Sequence, residues 1–112
     1  MKAILWVVAA GILLSLVSCG QSDAEKQREA DAYLQLLGEK FVKAKLKDPS
    51  SAEFRNQFIG KKGVPCGEVN AKNSFGGFTG FHRYIAVGAE LTVFPNDMPV
   101  GEFDSSWSLA CK

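Results

Sequence analysis

The sequence predicts an α+β domain, with one N-terminal amphipathic helix packed on an antiparallel meander of about four to five strands. Three observations predict it. Apolar residues recur at helical spacing across residues 25–47. From Phe54 onward glycines become frequent and aromatics replace leucines. Short turn-forming segments then punctuate the apolar runs. At 112 residues the chain has room for one small domain.

The helix is expected over 25–47. Ala30, Leu34, Leu37, Phe41 and Ala44 line one face, and Tyr33, Val42 and Leu46 widen it. Asp23, Glu25, Glu29 and Asp31 lie early and Lys40, Lys43, Lys45 and Lys47 late, matching the helix dipole. Glu39 and Lys43 stand at the favourable i, i+4 spacing. The basic residues gather at one end instead of along a polar face, the pattern of a helix packed on a sheet and not of one lying on a bilayer. Gly38 is costly in a helix and marks a close approach to the sheet. Pro49 ends the helix, and Asp48 caps a short turn with Pro49 first in it.

The strands follow in order: 54–59, the turn Gly60-Lys61-Lys62-Gly63, 65–72, the loop Asn73-Ser74-Phe75-Gly76-Gly77, 78–87, 89–94 and 106–111. In the last, Trp107, Leu109 and Cys111 alternate with Ser106, Ser108 and Ala110, the period of a half-buried strand.

The first eighteen residues differ in kind. Lys2 precedes an apolar run from Ile4 to Val17, and small Ser18 precedes Cys19. This is the order of a secretory signal. The run is 14 residues long, short of the roughly 20 that span a bilayer. Leu16-Val17-Ser18-Cys19 resembles the lipobox of bacterial lipoproteins. The resemblance implies cleavage before Cys19, a diacylglyceryl thioether on its sulfur and an acylated amine. It divides the chain into a signal peptide at 1–18, a lipidated Cys19 with a tether to residue 24, and a domain at 25–112. Gly20, where an Asp would resemble an inner-membrane retention signal, points to the periplasmic face of the outer membrane.

Without the signal, twelve basic residues face twelve acidic ones. A neutral domain lacks the electrostatic footprint of a nucleic-acid binder and carries no polybasic patch for anionic lipid. With Cys19 lipidated, Cys66 and Cys111 are left in an oxidising compartment, where a disulfide between them is expected. The competing expectation is two buried free thiols.

Two segments are the most individual. Leu46-Lys47-Asp48-Pro49-Ser50-Ser51-Ala52-Glu53-Phe54-Arg55 and Cys66-Gly67-Glu68-Val69-Asn70-Ala71-Lys72-Asn73-Ser74-Phe75-Gly76-Gly77 resemble paired blocks in a family of small envelope proteins of bacteria and their prophages. The likeness covers residues 46 to 85. It implies an envelope location and carries over no catalytic residue. Glu68, Asn70 and Lys72 share the polar face of an alternating run, and Phe75 and Phe78 flank a glycine loop. One expectation is a recognition loop with Phe75 exposed at its apex. The other is ordinary packing, with Asn70 or Asn73 bonding backbone and Arg83 pairing with Glu68.

Three function classes follow. The first is a non-catalytic interaction module for another envelope protein, held to the membrane by the lipid on Cys19. The second is a small-ligand binder with a pocket between helix and sheet, lined by Tyr33, Phe41 and Tyr84. The third is an enzyme, which needs His82 with Glu68 or Glu90 in one cleft. His82 is the only histidine, and no ligand spacing for a metal or fingerprint for a cofactor is present. The first class is the expected one.

Overall fold

The computed structural model describes residues 22–112. The signal segment and Cys19 lie outside the described residues. The architecture is α+β as expected: four antiparallel strands in sequential order, preceded by a long helix.

Helix α1 spans Asp23–Lys45, starting inside the segment read as tether. Ser22 explains the early start. Its hydroxyl and carbonyl both accept from the Glu25 amide, satisfying a donor left open by the first turn. Asp23 and Glu25 occupy the first turn, and Lys43 and Lys45 the last. The buried stripe is rotated from the predicted one. Gly38 and Val42 are buried, Phe41 and Leu46 pack beside them, and Ala30 and Ala44 are exposed. Tyr33 is 65% exposed. Residues 23–30 are exposed throughout, because the helix overhangs a short sheet. Glu39 accepts a hydrogen bond from Gln57 across the interface, while Lys43 lies over the Phe54 ring. Gly38 does mark the close approach: a Cβ there would sit 2.4 Å from the Pro65 Cβ.

After the 3-10 turn Pro49–Ser51 come β1 (Glu53–Ile59), β2 (Pro65–Asn70), β3 (His82–Ala86) and β4 (Thr92–Val93). The third and fourth strands are shorter than predicted. Residues 71–81 form a hairpin extension, and most of 87–91 forms the next turn. β1 carries a bulge. Arg55 pairs with Glu68 and Phe58 with Cys66, so Asn56 and Gln57 together oppose Gly67. Asn56 takes the left-handed conformation, φ 52°, which asparagine tolerates better than most residues.

The predicted fifth strand is a helix, α2, over Glu102–Ala110. Six residues of alternation were too few to separate the two periods. Phe103, Trp107 and Cys111 stand at i, i+4 and i+8 and form one helical face. Leu109, placed inward by the strand reading, is 76% exposed. Glu102 and Asp104 in the first turn suit a helix start.

The sheet therefore has a helix on each face. On one side Val42 of α1 meets Val69, Tyr84 and Ala86, with Phe41, Leu46, Phe54 and Phe94 around them. On the other, Phe103 and Cys111 meet Cys66 and Ile85, with Trp107, Val93 and Met98 around them. Cys66 and Cys111 are joined by a disulfide, as expected. Among the described residues no helix is long and apolar enough to cross a membrane.

Candidate interaction site

Beyond their ladder, β2 and β3 continue as a narrow hairpin over residues 71–81. Thr79 N–H donates to the Ala71 carbonyl, Lys72 bridges to Phe78, and Asn73 N–H donates to the Gly77 carbonyl at 2.8 Å. The turn is built around one side chain. Asn73 Oδ1 accepts from the Phe75 amide at 2.9 Å and the Gly77 amide at 3.1 Å. This is the local bonding for which asparagine is favoured in turns. Gly76 follows with φ 81°, a conformation that side chains oppose. Lower down, Asn70 Oδ1 accepts from the Gly80 amide at 3.0 Å. Ser51 Oγ accepts from the Lys72 amide at 2.8 Å, tying the hairpin to the 3-10 turn. The two sequence blocks singled out above are thus neighbours in space.

At the apex Phe75 is 97% exposed. Phe78 is 49% exposed, with the Lys72 ammonium 5.6 Å from its ring centre. Phe75, Phe78 and Lys72 therefore share the outer hairpin. Asn70 serves the framework. Glu68 is set back on the sheet face opposite Val69 and works within a polar cluster: Asn56 Nδ2 donates to it at 2.6 Å and Arg55 pairs with it at 3.1 Å. Arg55 also stacks over Phe81 at 3.8 Å. Arg83 pairs with Asp104 of α2 instead of Glu68, and lies over both Phe103 and Trp107. Neither the bulge nor the Arg55–Phe81 stack had a sequence signal beyond the tolerance of asparagine for positive φ.

The Asn56 hydrogen bond, followed by that from Arg55, holds the Glu68 carboxyl below its ordinary range, against the opposing effect of desolvation. A carboxylate whose pKa is depressed in the folded state adds stability above its unfolded pKa. That stability disappears as pH falls through the folded value. Asn56→Gly keeps the backbone conformation but removes the donor. The Glu68 carboxyl carbon should then titrate at higher pH by NMR. The loss of stability between about pH 7 and about pH 2 should become smaller. An unchanged Glu68 titration would mean that Arg55 alone sets it.

The expected pocket of Tyr33, Phe41 and Tyr84 does not form. Tyr33 is on the solvent side, whereas Tyr84 is buried against Phe54, with ring centres 5.9 Å apart and edge to face. Register places His82 opposite Val69 and Arg83 opposite Glu68, so the pleat directs the His82 and Glu68 side chains to opposite sheet faces, although both residues line one cleft. Glu90 lies in the turn at the other end of the sheet. Among the described residues no three metal-ligating side chains converge. Every buried side-chain nitrogen and oxygen among them has a partner.

A cleft does lie between the end of α1 and the sheet, built from other residues. Its volume is about 460 Å³, and Leu46, Lys47, Val69, Ala71, Lys72 and Phe94 are among its walls. A second, of about 450 Å³, is lined by Glu68 and His82 together with Phe81 and Trp107. Comparison with known protein families, with curated proteins and with solved structures finds no match.

Proposed function

We propose that this chain is a lipid-anchored protein of the bacterial cell envelope, a non-catalytic module that presents its 71–81 hairpin to another envelope protein. The observation that carries the reading is Phe75, almost fully exposed on a turn braced by Asn73. An aromatic ring in water forgoes its burial energy, roughly 1.5–3 kcal/mol for a side chain of this size. Side-chain entropy is lost only modestly when such a ring docks, and a braced turn has little backbone freedom left to lose. Exposed, pre-organised aromatics of this kind are the usual anchors of protein interfaces.

The address rests on the resemblance of residues 16–19 to a lipobox, with the outer membrane as its destination. Geometry is consistent with that arrangement. Cys19 lies three positions before the Ser22 cap, and α1 then runs 23 residues, about 35 Å along its axis. The hairpin leaves the sheet near the far end of the helix, beside Lys45–Lys47. With α1 directed away from the bilayer, a lipid on Cys19 would leave Phe75 clear of the anchoring membrane and open to a partner.

Crosslinking the native protein in intact cells, with a Phe75→Ala variant alongside, tests this. The variant should keep the thermal stability of the parent, since Phe75 packs on nothing, yet lose a specific crosslinked partner. An identical partner set for both proteins would rule out the hairpin as the contact. Independently, Cys19→Ser should abolish acylation in the intact mass and detach the protein from membranes. Normal membrane fractionation of that variant would remove the lipid anchor from the account.

A further inference from the structure

We infer that the solvent face of α1 is an interface for a second copy of this chain, paired antiparallel about a two-fold axis near the middle of the helix. The face lies opposite the one that meets the sheet. Gly38 is buried, and Leu36, two residues earlier and so turned from it by about 200°, is 67% exposed. Tyr33, one turn before Leu36, is 65% exposed. Charge is divided around this apolar pair. Glu25 and Glu29 stand on the same face toward the start of α1, and Lys40 and Lys43 toward its end, all four exposed. From Glu25 to Lys43 the face advances only by steps of three and four residues, the spacing of neighbours on one side of a helix.

This division of charge selects the occupant. A second copy running antiparallel sets Glu29 against Lys40 and Glu25 against Lys43 at both ends. In the middle, Tyr33 of each chain meets Leu36 of the other. The same face paired parallel sets carboxylate on carboxylate and ammonium on ammonium, and an anionic bilayer is opposed by the two glutamates. The lysines are not equivalent. Among the described residues Lys40 and Glu25 have no ion partner, whereas the Lys43 ammonium lies 5.9 Å from the Phe54 ring centre. Lys40 therefore contributes the larger share. The contact is about 27 Å long and one helix wide, at the small end of specific interfaces, so the dimer is weak in dilute solution. The inference rests on neither the lipid nor Phe75. Antiparallel pairing puts the two starts of α1 at opposite ends of the dimer. On one bilayer a pair held by both lipids lies along the surface, so the pair and an upright single chain are alternative arrangements.

The test uses the full chain as cells produce it, in nonionic detergent with micelles in large excess, so that two chains rarely share a micelle by chance. Sedimentation velocity over a concentration series should show a monomer–dimer equilibrium that added salt weakens. Leu36→Glu should weaken dimerisation about tenfold or more, at the melting temperature of the parent. Glu25→Lys/Glu29→Lys and Lys40→Glu/Lys43→Glu should each be monomeric, because all four charges on the face then have one sign. An equimolar mixture of these two variants should dimerise again. A parent that stays monomeric overturns the proposal and leaves the face to solvent or to another protein. A dimer indifferent to Leu36→Glu overturns it too, as does a mixture no more associated than its components. Where a charge variant fails to fold, the comparison of the parent with Leu36→Glu decides the matter.

Discussion

Breaking the Cys66–Cys111 bond should lower the unfolding free energy by about 4 kcal/mol and the melting temperature by roughly 20 °C. The bond joins residues 45 positions apart, and on the chain-entropy account a loop of that size greatly restricts the unfolded chain. In the folded chain it fastens α2, the shorter helix, to the central strand β2. Without it α2 keeps the edge-on contact of Trp107 with Phe58, the burial of Phe103 and the Arg83–Asp104 pair. These orient the helix but leave the unfolded chain unconstrained. Thermal unfolding with and without reductant, and of a Cys66→Ala/Cys111→Ala variant, measures the difference. A change below about 1 kcal/mol would mean that packing alone holds α2 in place. Both sulfurs are buried, so reduction should be slow in the folded protein and fast once denaturant opens it.

Tyr84→Ala should be at least as damaging, at about 3–5 kcal/mol by analogy with other large aromatic truncations. Tyr84 is 1% exposed at the centre of the α1-facing core and meets Phe54 edge to face. Gly67, opposite it on β2, leaves the room its ring needs: a Cβ there would lie 2.8 Å from the Tyr84 hydroxyl. Removing the ring opens a void between helix and sheet that rigid neighbours close poorly. Small domains of this kind have about 5–15 kcal/mol in all, so the variant should unfold at low urea or not fold. Tyr84→Phe is the control. The hydroxyl accepts one long bond, from Gln57 at 3.5 Å, so its loss should cost about 1 kcal/mol or less. Burial also holds the Tyr84 phenol above its ordinary pKa. Comparable losses in both variants would place the stability in the hydroxyl and not in the ring.

The exposed apex of the candidate site was legible because a hairpin tip must meet solvent, and Ser74-Phe75-Gly76 leaves the ring nowhere to pack. The polar part was not. Alternation placed Glu68, Asn70 and Lys72 together, but their partners came from elsewhere in the chain. Asn56 and Arg55 took Glu68, the Gly80 amide took Asn70, and Phe78 took Lys72. Those contacts depend on the β1 bulge and on the hairpin crossing, both set by pairing between distant segments.

The sequence by itself determined the long helix, its end before Asp48-Pro49, the order of the antiparallel strands and the only two cysteines in the domain able to bond. Each follows from local periodicity, a backbone restriction or a count. Only the tertiary structure decided that residues 102–110 are helical, that each sheet face has its own helix, and that a cleft opens between the end of α1 and the sheet. In the C-terminal segment the helical and extended periods coincide at Trp107 and Cys111. The choice fell to the apolar sheet face left bare by α1, which the helical arrangement of Phe103, Trp107 and Cys111 covers.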